Sequence, residues 1–153
     1  MTIDSLPITI RMAESTDTTT IANLMSQLGY PLSLSDMEQI ITKYLTTEQY
    51  AIFVAIANGQ LIGATSVIII DHFHQIGKAA ILSSLVIDAE YRGRGVGSVL
   101  MDFVEDHAKC NSCISVELKS GVRRIKDGTH NFYKKRGYID NATNQTYFKK
   151  NLW

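Results

Sequence analysis

The densest chemical signal in the sequence is the stretch YRGRGVG at residues 91–97, which holds three glycines, two arginines and no acidic residue. Glycines let backbone N–H groups approach a ligand closely, and a helix that begins here adds the partial positive charge of its N-terminus. These properties suit a phosphate group. We therefore expect a loop that cradles a pyrophosphate with its own backbone and without a metal ion.

Two better-known phosphate loops fit these residues less well. A dinucleotide fingerprint requires a third glycine in a turn directly after a strand, but Ser98 follows here and the residues DAEYR separate the loop from the preceding apolar run. A Walker loop requires Gly-Lys followed by Ser or Thr, which is also missing. The remaining pattern is Arg92-x-x-Gly95-x-Gly97 at the start of a helix.

Cysteines and histidines are the other candidates for chemistry. Cys110 and Cys113 follow a helical segment, whereas redox pairs usually begin one, and only His107 lies near them as a further zinc ligand. His72 and His74 alternate in a predicted turn and so point to one side, but two ligands alone make a poor metal site. We therefore expect structural thiols, a solvated turn and no metal.

Hydrophobic periodicity predicts the elements that position these residues. Alternation predicts a strand over 8–13, and capped apolar spacing predicts helices over 15–29 and 33–45. Asn58-Gly59 between two β-branched runs predicts a hairpin. The later predicted elements are a strand over 79–87, a helix from Val96, a strand over 113–118, a helix over 127–137 and a final strand or hairpin from Tyr138. The order β-α-α-β-β-β-α-β-α-β predicts an α/β fold with a mixed sheet and helices on both faces.

The bulk composition is typical of an ordinary globular domain. The chain has 153 residues, 45% of them hydrophobic and 20% charged, which predicts one domain over 1–153. Fifteen basic and fifteen acidic residues cancel, so we expect no nucleic-acid partner. No run approaches the roughly 20 apolar residues of a membrane span, and no export signal is visible. We therefore expect no membrane partner and a cytoplasmic location.

Two segments together resemble a known family. The stretch LSSLVIDAEYRGRGVGSVLMDFVEDHA resembles motif A of the GCN5-related N-acetyltransferases (GNAT), and SGVRRIKDGTHNFYKKRGY resembles their motif B. The predicted element order matches this family along the whole chain. The resemblance implies a GNAT-like, mostly antiparallel sheet. It also implies that the acetyl group of acetyl-CoA is transferred to a primary amine by direct attack in a ternary complex.

The resemblance further implies which residues bind acetyl-CoA, the co-substrate. The pyrophosphate would lie on the backbone of a continuous loop, and the pantetheine arm would pair with the strand before it. A main-chain N–H of that strand, from Val86 or Ile87, would bind the developing oxyanion. The loop residues are Arg92, Gly93, Arg94, Gly95, Val96, Gly97 and Ser98, and the strand residues are Leu85, Val86 and Ile87.

Two side chains are implied as catalytic. Tyr133 matches the family tyrosine that protonates the departing thiolate; the alternative is a core aromatic, which we favour for its neighbour Phe132. The base is less defined, because serines at 83–84 stand where many relatives carry a carboxylate. Glu117 is the best remaining candidate, and a solvent-exposed strand glutamate is the alternative. Lys126 stands where motif B often has asparagine, which leaves open whether it replaces a CoA contact.

A catalytically silent acyl-CoA sensor on the same fold is the alternative function. It would keep the glycine loop and lose the acid and base, so the presence of Tyr133 favours an enzyme. A nucleotide-dependent oxidoreductase is disfavoured by the missing third glycine. The acceptor, a small-molecule or peptide amine, would be recognised by the first two helices and by loops such as 71–77. Its identity is not readable from the sequence, and a homodimer stays open.

Overall fold

The structure, a computed structural model, describes residues 6–120 and 128–153. The chain forms two compact units that divide after Leu118. The elements of the first unit are β1 (Thr9–Met12), α1 (Thr18–Leu28), α2 (Leu34–Thr46), β2 (Tyr50–Ala57), β3 (Gln60–Asp71), β4 (Lys78–Ile87), α3 (Val96–Cys110) and β5 (Cys113–Leu118). The second unit contains α4 (Thr129–Lys135). None of the described helices is both long and apolar enough to cross a membrane.

The sheet has the order β1-β2-β3-β4-β5. Its first four strands pair antiparallel, and β5 pairs parallel to β4. The mixed, mostly antiparallel sheet is therefore confirmed. The Asn58–Gly59 turn is also confirmed, because both residues have positive φ, 51° and 74°, as a tight hairpin between β2 and β3 requires.

The two faces of the sheet carry different helices. Ile52 and Val54 belong to one buried cluster with residues of α1 and α2. Phe53, between them, points to the opposite face, where its ring lies 6.3 Å from that of Phe103 in α3. Helices on both faces are thus confirmed for the first unit. The helix residues of the cluster include Ile21, Leu24, Met37 and Ile41, and each fully buried apolar side chain of this size contributes about 1.5–3 kcal/mol.

An ion pair ties β1 to the start of α1. The Arg11 guanidinium donates to both carboxylate oxygens of Asp17, at 2.7 and 2.9 Å, and the amide of Glu14 donates to the same carboxylate at 2.8 Å. The hydrogen bonds from Arg11 lower the pKa of Asp17, although burial of the carboxyl opposes this shift. The start of α1 is therefore held by a charge that the protein itself supplies.

The predicted strand after α4 is wrong for the residues that the structure describes. Residues 138–153 form turns and irregular chain and contain no strand. The carboxylate of Asp140 accepts from the amide of Ala142 at 2.9 Å, and the carbonyl of Asn141 accepts from the amide of Gln145 at 3.0 Å. These local bonds compete with a ladder because Asp and Asn side chains favour turns. The prediction of a single domain over 1–153 stays a prediction.

Candidate active site

The two halves of β4 have different partners. Residues 78–82 pair with β3 on one side and with β5 on the other, and the last pair with β5 is Leu82 opposite Leu118. Ser83 then forms a β-bulge, and residues 84–87 pair with β3 alone among the described strands. A bulge bends its strand and ends regular pairing. The second half of β4 therefore presents an open edge.

The amides on that open edge can be identified from the register. The amide of Asp88 donates to the carbonyl of Ile62 in β3 at 2.8 Å. Because successive peptide groups alternate between the two sides of a strand, the N–H of Val86 also points to β3, whereas those of Leu85 and Ile87 point away from it. Between the two predicted oxyanion donors, this alternation favours Ile87.

The loop after β4 owes its shape to two glycines. Gly93 and Gly95 have φ of 75° and 83°, a conformation that side chains other than glycine rarely adopt. A Cβ atom added at either glycine would meet no other atom within 4 Å. The glycines are therefore needed for the backbone conformation, and the space above them is open to a ligand.

The start of α3 has a glycine at the position where many helices have a polar cap residue. Gly95 is its N-cap residue and makes no side-chain cap hydrogen bond, and the first turn contains no acidic residue. The first amides of any α-helix have no partner within the helix, and their partial positive charge favours an anion. Val96 is 1% exposed and anchors this helix end to the core.

The side chains of the loop are oriented by local contacts. Arg92 donates from Nε to the carbonyl of Ile87 at 3.1 Å, and the guanidinium of Arg94 lies 5.4 Å from the centre of the Tyr91 ring. The Tyr91 hydroxyl donates to the side-chain oxygen of Gln60 at 3.4 Å. Both arginines remain exposed beside the helix start. No sequence motif reveals the contact between Tyr91 and Gln60, because it depends on how β3 and the loop meet.

Glu117 lies at the end of β5, on the face that α1 and α2 cover. It stands opposite Ile81 and is exposed, and its carboxylate accepts from the Ser115 hydroxyl at 3.1 Å. Ser84 lies on the same face, with its hydroxyl 2.7 Å from that of Ser66. The sheet thus brings Glu117 and Ser84 to the same face.

Tyr133 lies in α4 of the second unit. It is half-buried, and its ring centre lies 5.1 Å from that of Phe132 and 5.7 Å from that of Tyr138. The amide of Tyr138 also donates to the Tyr133 carbonyl at 3.1 Å. This packing orients the ring and is compatible with either role predicted for it. Lys126 lies outside the described residues.

The cysteine pair lies at the junction of α3 and β5. Cys110 is exposed, Cys113 is half-buried, and both are free thiols. Burial raises the pKa of the Cys113 thiol, although the charge of Lys78 opposes this. Burial also lowers the pKa of His107, whose ring lies 5.2 Å from that of Phe53. A thiol that resists ionisation is a poor nucleophile at neutral pH.

The two histidines of the β3–β4 turn lie close to each other. The ring centres of His72 and His74 are 5.1 Å apart in an edge-on arrangement. Within residues 6–120 and 128–153, no group of three or more His, Cys, Asp or Glu side chains is arranged to hold a metal ion. The absence of a metal from the protein's activity stays a prediction.

The sequence that builds this site matches a known family. The model of the acetyltransferase (GNAT) family matches residues 18–138, which include the loop after β4 and Tyr133. This range is most of the chain. The protein therefore belongs to the GNAT family of acetyltransferases.

A curated relative supports the same class. The aminoalkylphosphonate N-acetyltransferase of Salmonella typhimurium is 30% identical over 84 residues, which cover 55% of this chain and 53% of that protein. The chain thus spans about half the length of the curated relative that it matches.

Solved structures match along nearly the whole chain. The glucosamine-6-phosphate N-acetyltransferase from Arabidopsis thaliana is 22% identical with a TM-score of 0.77, over 95% of this chain and 99% of that one. An aminoglycoside N-acetyltransferase in complex with CoA is 18% identical with a TM-score of 0.82, over 100% of both chains. At these identities the likeness shows the fold.

Proposed function

We propose that this protein transfers the acetyl group of acetyl-CoA to a primary amine by direct attack of the amine on the thioester in a ternary complex. The observation that carries the proposal is the glycine-arginine loop at the start of α3, which follows closely on the half of β4 that pairs with β3 alone among the described strands. Such an arrangement offers backbone donors to a long, anionic co-substrate. Membership of the GNAT family supports this class of reaction.

The loop suits the pyrophosphate of CoA. The residues from Arg92 to Gly95 are exposed, and the loop combines two arginines with a helix N-terminus whose N-cap residue is a glycine. The open space above Gly93 and Gly95 leaves room for the phosphate oxygens. A metal ion is not needed for this contact, because the amides and guanidinium groups supply the positive charge.

The open edge of β4 suits the pantetheine arm. The outward peptide groups of Leu85 would pair with the amides of the arm, in the way that a strand is added to a sheet edge, whereas the Ile87 carbonyl already accepts from Arg92. The N–H of Ile87 would then donate to the thioester oxygen as it becomes an oxyanion. One such donor is typically worth about 3 kcal/mol in the transition state.

Two side chains would move the protons. As the C–N bond forms and the C–S bond breaks, the Tyr133 hydroxyl gives its proton to the departing thiolate. The attacking amine has a pKa near 10 when it resembles lysine, so it must first lose a proton at neutral pH. Glu117 would accept that proton through a water molecule, and its exposure on β5 allows this.

The acceptor is proposed to be a small-molecule or peptide amine. The relatives reported above are named for an aminoalkylphosphonate, an aminoglycoside and glucosamine 6-phosphate, which favours a small molecule. A cytoplasmic location and the absence of nucleic-acid and membrane partners remain predictions from the composition.

Thiol release from acetyl-CoA across a panel of amines tests the function. The panel holds aminoalkylphosphonates, aminoglycosides, polyamines and peptides with free N-termini, and calorimetry measures CoA binding in parallel. We expect micromolar to millimolar KM values for at least one class of amine. CoA binding without thiol release from any amine would instead support the silent sensor, and no CoA binding would refute both.

Replacing Tyr133 by phenylalanine tests the acid. We expect kcat to fall about tenfold to a thousandfold while the KM for acetyl-CoA changes little, because the hydroxyl acts only in the transition state. Tyr138→Phe is the matched control, since it deletes a hydroxyl from the neighbouring ring. If chemistry limits the rate and Tyr133→Phe still turns over like wild type, Tyr133 is a core aromatic.

Replacing Glu117 by glutamine tests the base. We expect kcat/KM for the amine to fall about tenfold to a hundredfold at neutral pH and to recover as the pH rises toward the pKa of the free amine. Ser115→Ala is the control, because it removes the hydrogen bond to Glu117 and keeps the carboxylate. A pH profile parallel to that of wild type would contradict the assignment.

A further inference from the structure

The side chain of Gln27 bridges α1 and the chain just after β4. It lies in the last turn of α1, where its Nε2 donates to the Asp88 carboxylate at 3.2 Å and its Oε1 accepts from the amide of Ala89 at 2.9 Å. One side-chain amide thus satisfies a charged acceptor and a backbone donor that lie 61 and 62 positions away in sequence.

Asp88 is the point from which the loop starts. Its second carboxylate oxygen accepts from the amide of Glu90 at 2.9 Å, and its carbonyl accepts from the amide of Tyr91 at 2.9 Å. Its own amide is bonded to Ile62 of β3 at 2.8 Å. The path of the chain from β4 to Arg92 therefore depends on how Asp88 is held.

The end of α1 is a rigid support for this bridge. Gly29, with φ of 101°, closes the helix, and the amide of Tyr30 donates to the carbonyl of Met25 at 2.9 Å. Leu24, one turn before, is 1% exposed. Gln27 itself is exposed and is not part of the hydrophobic core, so a substitution there removes its two hydrogen bonds without disturbing core packing.

We infer that Gln27 is a positioning residue for the co-substrate: its side chain clamps Asp88 and Ala89 and thereby presents Arg92–Ser98 in the conformation that binds the pyrophosphate. The inference rests on the proposed function. A loop with three glycines has much conformational freedom to lose, so ordering it before binding increases affinity. Gln27 acts through the loop and touches no reacting atom.

Exchanging the amide and the carboxylate between the two positions gives a sharp test. In Gln27→Glu, two carboxylates meet and repel each other. In Asp88→Asn, the single side-chain oxygen at position 88 cannot accept from both Gln27 and Glu90 in the present geometry, so one donor loses its partner.

The double variant Gln27→Glu with Asp88→Asn restores the complementarity. The carboxylate at position 27 then accepts from the Ala89 amide and from the side-chain amide at position 88. The side-chain oxygen at position 88 still accepts from the amide of Glu90. The double variant also keeps the net charge of wild type, so a general change of electrostatics is controlled.

The measurements are the Kd for CoA by calorimetry, and kcat/KM with acetyl-CoA and with S-acetylpantetheine, which lacks the pyrophosphate. We expect each single variant to weaken CoA binding about three- to tenfold, as the loss of exposed hydrogen bonds predicts. The double variant should return to within about twofold of wild type, as coupled neighbours do in a double-mutant cycle. Turnover of S-acetylpantetheine should be unchanged in all variants.

The outcomes separate this inference from the proposed function. Wild-type protein that binds no CoA would refute the proposed function and the positioning role with it. Wild-type protein that binds CoA, with single variants that bind it equally well, would refute the positioning role alone. An equal loss with S-acetylpantetheine, or no recovery in the double variant, would also overturn it, because the effect would then lie in the fold.

Discussion

The helices α2 and α3 begin in opposite ways. At the start of α2, the Ser33 hydroxyl accepts from the amide of Asp36 at 3.1 Å, and Asp36 adds a negative charge to the first turn. At the start of α3, Gly95 offers no side chain, no acidic residue follows in the first turn, and two arginines precede it, at positions 92 and 94. One helix start thus carries a side-chain acceptor and a negative charge, whereas the other carries a glycine and two arginines and is the start that we propose for an anion.

The start of α1 differs from both of these helix starts. A capping box between Glu14 and Asp17 belongs to the 3-10 turn Ser15–Asp17 just before α1, and Arg11 neutralises the carboxylate. The N-cap residue of α1, Asp17, makes no side-chain cap hydrogen bond to α1 itself. Helix starts are normally stabilised by side-chain acceptors. A missing side-chain cap is therefore not what distinguishes α3, because α1 and α4 also lack one. The distinguishing feature is a glycine N-cap residue preceded by two exposed arginines.

The largest expected effect comes from giving α3 a start like that of α2. Gly95→Asp places a carboxylate at the cap, and Asp tolerates the left-handed backbone better than most residues. We expect the affinity for CoA to fall by at least about a hundredfold, because the carboxylate occupies the amides and repels the pyrophosphate. Calorimetry with CoA measures the loss, and Gly95→Asn, which adds no charge, should lose less.

Gly59→Asp is the matched control for the backbone strain. Gly59 in the β2–β3 hairpin also has positive φ, 74°, and its added Cβ also meets no atom within 4 Å. We expect it to lower the melting temperature and leave the Kd for CoA unchanged. Equal CoA affinity in wild type and Gly95→Asp would show that the pyrophosphate does not bind at this helix start.

An intermediate effect is expected from the acid titration of the α1 start. The pKa of Asp17 is lowered by Arg11, so its contribution to stability is fully present above the ordinary value near 3.9 and is lost as the pH falls through the lower, folded-state pKa. Asp17→Asn should cost roughly 1 to 2 kcal/mol at pH 7, because the partner guanidinium is partly exposed. Urea unfolding of wild type and Asp17→Asn, at pH 7 and below pH 4, measures this cost in free energy and its dependence on pH.

The loss of unfolding free energy caused by Asp17→Asn should become smaller at acid pH, and the substitution should not change CoA binding. Below the folded-state pKa, wild type and Asp17→Asn are expected to have nearly equal unfolding free energies, since the carboxyl of wild type is then protonated in both the folded and the unfolded state. At pH 7 both proteins should bind CoA equally well. A difference between them that stays constant down to acid pH would mean that packing rather than charge is lost.

The smallest effect is expected at the α2 cap. Ser33→Ala should reduce the unfolding free energy by about 1 kcal/mol, because it removes the acceptor for the Asp36 amide. The Kd for CoA should not change. Ser35→Ala, an exposed serine in the same turn, is the control and should have almost no effect. A change in CoA affinity in Ser33→Ala would contradict the comparison, because it would show that the start of α2 also influences CoA binding.

Local chemistry made part of this fold and site predictable. The start of α3 at Val96 and the bounds of β5 at 113–118 agree with the sequence patterns, because glycines, caps and alternation act over a few residues. The glycine-arginine loop was predictable for the same reason. The prediction of a last strand was wrong, because the Asp140 side chain accepts from the amide of Ala142 in a local turn that competes with strand pairing.

Features that depend on two distant segments left no trace in the sequence. The outward amide of Ile87 follows from the register between β3 and β4, which no single strand encodes. Gln27 belongs to no motif, and its partners are 61 and 62 positions away. Such contacts exist only once the helix and the sheet have packed together.

At the bulge at Ser83, the packing of β4 depends more on the number of residues in the strand than on which residue occupies position 83. Ser83 is exposed, so many side chains could replace it at little cost. Deletion of Ser83 should be costly, because side chains alternate between the two faces of a strand. The residues before the bulge would then point to the opposite face of the sheet relative to β3. Leu82, buried on the α3 face, and Ile81, on the other, would exchange sides. We therefore expect position 83 to tolerate substitutions but not insertions or deletions, so this strand can change in sequence during evolution more easily than in length.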